Sequence, residues 1–185
     1  MVQMKSNKLI KLITAALFMA LICVATYIVQ IPMPATGGYI NLGDCFVLTA
    51  GIFLGLGYGA LAAGLGSALA DMIAGYMQYA PATFVIKALM AIVVCLIYKA
   101  LKKAFSSKLS VVAKLIAAVA AEAVMVLSYF GYEAVILKYG MGAAGSIPGN
   151  IIQGAVGAAA AIALVTALEA AAKKSKTISS FFKEG

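Results

Sequence analysis

The sequence predicts an all-α membrane protein: six transmembrane helices in a single domain over residues 1–185, with both termini in the cytoplasm. Three observations predict it. Hydrophobic residues make up 64% of the chain and mean hydropathy is +1.06, more apolar surface than a soluble protein of this length can hide. Apolar runs of roughly 20 residues, the length of helix that crosses a bilayer, recur along the chain. Lysines gather at alternate ends of those runs, as membrane topology requires.

Span 1 covers residues 9–29, behind Lys5, Lys8 and Lys11. This start mimics a signal peptide, but the apolar run is long for one and further spans follow, so a retained first span is expected. The segment Pro32–Asp44, PMPATGGYINLGD, is polar and punctuated by Pro and Gly. Between apolar helices it reads as a lid over a binding site. Span 2 covers 44–56 and is short; Asn41 and Asp44 are good N-cap types for it, and Asp44 is expected to be a cap. Span 3 covers 58–74, span 4 82–98 and span 5 111–137. Span 6 covers 148–172 and opens with Pro148, which suits a first helical turn.

Lysine placement orients the bundle. The interior ends collect Lys5, Lys8, Lys11, Lys99, Lys102, Lys103, Lys108, Lys114, Lys173, Lys174, Lys176 and Lys183; the exterior loops hold only Lys138. Segments 30–43, 75–81 and 138–147 then face outside, and all are polar or contain Gly or Pro. The chemistry-bearing face is external, which points to capture of something from outside the cell.

Several function classes are excluded. The net charge of +8 comes from lysine alone, with no Arg for bidentate phosphate or base contacts, so nucleic acid is not expected as a partner. The chain has no His, and Cys23, Cys45 and Cys95 are far apart in apolar surroundings; free thiols are expected and a metal site is not. Gly140–Gly145 fits G-x-G-x-x-G, but without a strand–turn–helix unit around it. No Gly-Lys-Ser/Thr occurs, so no nucleotide site is expected in this chain. No nucleophile–base arrangement supports an enzyme.

Polar residues inside apolar helices are costly unless partnered, so they mark candidate sites. On span 6, Asn150, Gln153, Gly154 and Gly157 share a face, which suits either a polar ligand or interhelical packing. On span 5, Glu122 and Tyr129 are seven residues apart, with Tyr132 beyond. Lys87, the only lysine read as lying inside a span, shares a face with Thr83. A structural Lys87–Glu122 pair and a ligand role for either are both open. Span 3 carries Ser67 and Asp71, followed by Tyr76, Gln78 and Tyr79. Gly51, Gly55 and Gly59 suggest close packing of spans 2 and 3, and Ala16 and Ala20 form a small-residue face on span 1 that could receive another subunit.

Taken in order, these features resemble the substrate-binding (S) components of energy-coupling factor (ECF) vitamin transporters. The resemblance rests on six spans, Ala16-xxx-Ala20, TGGYINLGD at 36–44, the run from Gly51 to Asp71, and PGNIIQG at 148–154. It implies a binding subunit that captures a vitamin from outside under the first external loop. It further implies docking through Ala16 and Ala20 onto a membrane coupling subunit driven by two cytoplasmic ATPases, which alone use ATP. The pocket would draw on Asn150, Gln153, Glu122, Tyr129, Lys87, Thr83, Tyr39 and Asn41. Local patterns are closest to the group for riboflavin, or for vitamin B6 and hydroxymethylpyrimidine. Tyrosines and amides suit a flat, hydroxylated heterocycle, and a strongly anionic substrate is disfavoured. The alternative is a standalone ion-coupled transporter using Glu122, Asp71 and Lys87.

Overall fold

A computed structural model describes residues 2–104, 110–175 and 179, with side chains from residue 8 onward. Lys108, Lys176 and Lys183, and the side chain of Lys5, lie outside the described residues. Six α-helices form the bundle: α1 Val2–Ile28, α2 Asp44–Leu54, α3 Leu56–Ile73, α4 Ala80–Ala104, α5 Ser110–Gly131 and α6 Ile147–Ala172. Five are long and apolar enough to cross a membrane. The eleven-residue α2 is not: at about 1.5 Å per residue it reaches only about 16 Å.

α2 is apolar on every side and sits inside the bundle, with nine of its residues buried. It packs against α1, α3, α4 and α6. Glycines let the backbones approach. A Cβ at Gly51 would fall 2.5 Å from the Ala91 carbonyl oxygen of α4, and one at Gly59 would fall 2.6 Å from the Ala50 carbonyl oxygen of α2. Gly64 and Gly66 bring α3 equally close to α4 and α1, at 2.7 Å from the Phe84 and 2.6 Å from the Met19 carbonyl oxygen. Small residues thus supply the helix contacts where lipid removes a hydrophobic driving force. Gly55 breaks α2 from α3 with φ +81°, a conformation that favours glycine.

The connection between α1 and α2, read from the sequence as a lid, contains a short antiparallel hairpin, β1 Ile31–Met33 with β2 Gly38–Ile40, in register Ile31↔Ile40 and Pro32↔Tyr39. The α5 helix ends earlier than the expected boundary at 137. After Gly131 it widens into a π-helical turn, Tyr132–Ile136, and the chain continues through a 3-10 turn, Gly140–Ser146, into α6. The hairpin, the α3–α4 turn and this segment meet at one end of the bundle, joined by side-chain hydrogen bonds through Tyr79, Glu133 and Ser146.

At the opposite end, Lys114 departs from its expected place among loop lysines. It lies in α5, is 1% exposed, and donates to Glu169 Oε2 at 2.5 Å and Thr166 Oγ1 at 2.9 Å. Tyr98 of α4 donates to the other oxygen of Glu169 at 2.5 Å, so three helices are tied together there. Lys87 is therefore not the only lysine inside a helix of the bundle.

Candidate functional site

A cavity lies beneath the hairpin, with about 420 Å³ of empty space when the space at its mouth is included. Every principal helix supplies part of its wall or floor except α2, whose first residue lies just behind. Seven of the eight residues expected to bind substrate line it: Tyr39, Asn41, Thr83, Lys87, Tyr129, Asn150 and Gln153. Glu122 does not. It is 6% exposed and lies behind α6, within 3.0 Å of where a Gly154 Cβ would sit, and faces a second groove between α5 and α6. Neither of its oxygens has a hydrogen-bond partner.

The floor is a chain of polar contacts that α6 completes. Lys87 is ion-paired with Asp44, not with Glu122, one of the two roles left open for it by the sequence. Gln153 Nε2 donates to the other Asp44 oxygen at 2.6 Å, while Gln153 Oε1 accepts the Asn41 backbone N–H at 2.7 Å. Asp44 is thus no helix cap: Gly43 holds the cap position without a side-chain bond, and Asp44 is fully buried among its long-range partners. Asn41 does not cap the helix either; its Oδ1 accepts the Gly43 N–H at 2.9 Å, bending the chain from the hairpin into α2. Gly157 allows this assembly, since a Cβ there would fall 2.8 Å from the Asp44 Cβ.

The upper walls are aromatic. Thr83 and Tyr129 hydroxyls lie 2.9 Å apart, and the Lys87 ammonium stands 5.6 Å from the centre of the Tyr129 ring. The Tyr39 ring of the hairpin packs at a 45° tilt on Tyr76, centroids 4.6 Å apart, and its hydroxyl donates to Asp71 Oδ1 at 2.5 Å. Burial, reinforced by the nearby Asp71, raises the Tyr39 phenol above its ordinary pKa, so it is a neutral donor.

Tyr79 and Glu133 also line the cavity, and nothing in the local sequence singled out Glu133. The π-helical turn swings it inward, where it is 1% exposed and accepts from Ser146 at 2.5 Å and Tyr79 at 3.2 Å. The same Tyr79 hydroxyl is 2.8 Å from the Thr36 carbonyl at the hairpin tip. Burial raises the Tyr79 phenol too, with Glu133 adding to it. Tyr132, three residues beyond Tyr129, donates to the Gln78 carbonyl and packs on Tyr79. Ala16 and Ala20 are both exposed on α1 and do not line the cavity. Among the described residues no group of His, Cys, Asp or Glu is arranged to hold a metal ion.

Comparisons with known proteins agree with this architecture. A solved structure described as "Structure and mechanism of the S component of a bacterial ECF transporter" superposes with a TM-score of 0.65, covering 88% of this chain and 96% of its own at 26% identity. A protein of Pyrococcus woesei, described as "Uncharacterized protein in gap 3'region", is 42% identical over 73 residues, 40% of this chain. The chain spans about half the length of that curated relative, 49%. The family described as "ECF-type riboflavin transporter, S component" matches residues 6–170. This family is one of transporter components, not of enzymes, and with the match running through nearly every helix, the chain is an integral membrane protein that belongs to it.

Proposed function

We propose that the protein is the substrate-binding subunit of an ECF-type importer and holds a flat, hydroxylated heterocycle, riboflavin first, in the cavity under the hairpin. One observation carries the reading. Seven residues drawn from the hairpin, α4, α5 and α6 converge on one cavity, roofed by a hairpin that side chains pin from three sides. Ring walls from Tyr39, Tyr79 and Tyr129 suit a planar heterocycle, and the Asn150 and Gln153 amides suit its carbonyls and hydroxyls. A pyridoxine- or hydroxymethylpyrimidine-type ring meets the same description and is the second ligand to try.

In this reading the cavity faces outward and both termini lie in the cytoplasm. The exposed Ala16–Ala20 face of α1 docks on a membrane coupling subunit, and two partner ATPases supply the energy. The test is titration of riboflavin fluorescence with purified, detergent-solubilised protein. Saturable quenching in the wild type that is lost in Asn150→Leu and Gln153→Leu supports the reading; no quenching, with none for pyridoxine by calorimetry, defeats it. Reconstituted alone, the protein should show no gradient-driven uptake. Such uptake would instead establish the ion-coupled alternative, although Lys87 is already committed to Asp44 rather than to a relay with Glu122.

A further inference from the structure

A second space in the bundle lies outside the cavity under the hairpin. It is a groove between α5 and α6, with about 580 Å³ of empty space when the space at its mouth is included. Val119, Ala123 and Val126 of α5 form one wall and Ile151, Ala155 and Ala158 of α6 the other, each set at the spacing i, i+4, i+7 of one helix face. Both helices are long and apolar enough to cross a membrane, and Val119 and Ile151 are exposed, so the rims of the groove face lipid. Glu122 is the one ionisable side chain among the described residues of the lining, and it is 6% exposed. It reaches across to the glycines of α6: Oε2 lies 3.0 Å from where a Gly154 Cβ would sit and Oε1 3.3 Å from where a Gly157 Cβ would sit. Neither oxygen has a hydrogen-bond partner. One turn outward from Gly154, about 6 Å along α6, Asn150 also lines the groove, and its Nδ2 has no partner either. Buried polar atoms left unpartnered among membrane helices are costly, so these two side chains point to an occupant that supplies what they lack.

A carboxyl oxygen calls for an O–H or N–H, and an amide N–H calls for an acceptor; one hydroxyl is both. The other walls are aliphatic and suit hydrocarbon. At roughly 30 Å³ for a group the size of a water or a methylene, the space takes a single alkyl chain. A partner helix fits less well. It is about 10 Å across and closes on outward small residues, as on the Ala16–Ala20 face, whereas these rims carry Val119 and Ile151. We propose that the groove between α5 and α6 binds a single-chain alcohol from the membrane, whose O–H donates to Glu122 and whose oxygen accepts from Asn150. Asn150 lines the cavity under the hairpin as well, so the two sites share one side chain of wall. Glu122 thereby has a role at a site of its own, apart from the cavity that it does not line.

The experiment uses 1-dodecanol, with its methyl ether as the comparison, because the ether keeps the chain and the oxygen and loses the donor. The readout is the reaction of Glu122 with dicyclohexylcarbodiimide, an apolar reagent. The carboxyl adds across its C=N bond to give an O-acylisourea, which rearranges to a stable N-acylurea with no leaving group. The full chain in detergent is treated in mildly acidic buffer and the adduct is located by fragment mass spectrometry, with Glu122→Gln as the background. Glu122 should label, and dodecanol should halve the rate at about one tenth of the micellar mole fraction that the ether needs, the worth of one hydrogen bond to a carboxyl. Ala155→Phe, which fills the groove from α6, should slow labelling severalfold with no competitor present, and Ala123→Phe does the same from α5 should the first variant not fold. No adduct on Glu122, or labelling that a filled groove leaves unchanged, overturns the groove as a site open to apolar molecules. Equal protection by alcohol and ether, or none by either, overturns the recognition of a hydroxyl. None of these readouts uses riboflavin, so the groove and the cavity are tested separately.

Discussion

Lys87, two turns into a helix long enough to cross a membrane, is ion-paired with Asp44, the first residue of a helix too short to cross. The pair is nearly inaccessible, and Gln153 occupies the second carboxylate oxygen. Desolvating two charges is costly, so the pair is best understood as a positioning device that holds α2, α4 and α6 in one register around the cavity floor.

Breaking that pair from one side strands a buried charge. Lys87→Met or Asp44→Leu alone should each lower stability by about 3–5 kcal/mol, while the double variant should recover much of the loss. Thermal unfolding of the four proteins in one detergent gives the cycle. Additive single losses would show that the two side chains do not act together.

Tyr79→Phe removes the donor that joins the hairpin tip to Glu133. Loss of about 1–2 kcal/mol should speed hydrogen exchange of the hairpin amides by about 5- to 30-fold, with α2 and α3 unchanged. Mass spectrometry of peptides covering residues 30–43 reads this directly.

The pinned tyrosines set a pH limit. Tyr39 and Tyr79 are raised above their ordinary value near 10 mainly by burial, so their neutral, donating forms are the ones the folded protein favours. An acid raised in this way contributes stability that is complete below its unfolded pKa and lost as pH rises through the folded one. Hairpin protection should therefore be flat from pH 7 to about 9.5 and fall above about 10. Tyrosinate absorbance in the same range should show these phenols titrating after the exposed ones.

Gly157→Val places atoms where the Asp44 side chain already lies. Overpacking should cost about 1–3 kcal/mol and weaken riboflavin binding, because α6 must carry Gln153 away from Asp44. Gly142→Ala, a position with no neighbour within 4 Å, is the control and should change stability by less than about 0.5 kcal/mol.

The Lys114–Glu169–Tyr98 network should be separable from the cavity. Thr166 is about 20 Å along α6 from Gln153. Lys114→Met leaves Glu169 with Tyr98 alone and should cost about 1–3 kcal/mol of stability. Riboflavin affinity should stay within about twofold, since sites this far apart act nearly independently.

The face of α6 bearing Asn150 and Gln153 could be recognised from the sequence because helical period and the cost of amides in lipid both act locally. Asp44 could not. An Asp at the start of an apolar helix satisfies the local rule for a cap, and only the arrival of α4 and α6 shows that it is an ion-pair partner instead. Lys114 was hidden in the same way, since its position at the edge of an apolar run matches a topological lysine until α6 brings Glu169 beside it. Glu133 carried no signal, because its inward direction depends on a π-helical turn that adds one residue to the helical period.

The shortness of α2 has a consequence for where the cavity comes from. Its nine buried residues lie inside the bundle, and it starts at Asp44, whose carboxylate is held by the lining residues Lys87 and Gln153. A helix of full length would run on through the space that the ligand is proposed to occupy. The eleven residues of α2 thus leave that end of the bundle to be closed by the hairpin rather than by further helix. Helical turns added ahead of Asp44 would carry Asn41 and its bond to Gln153 out of the wall, so the shape of the site depends on where α2 begins.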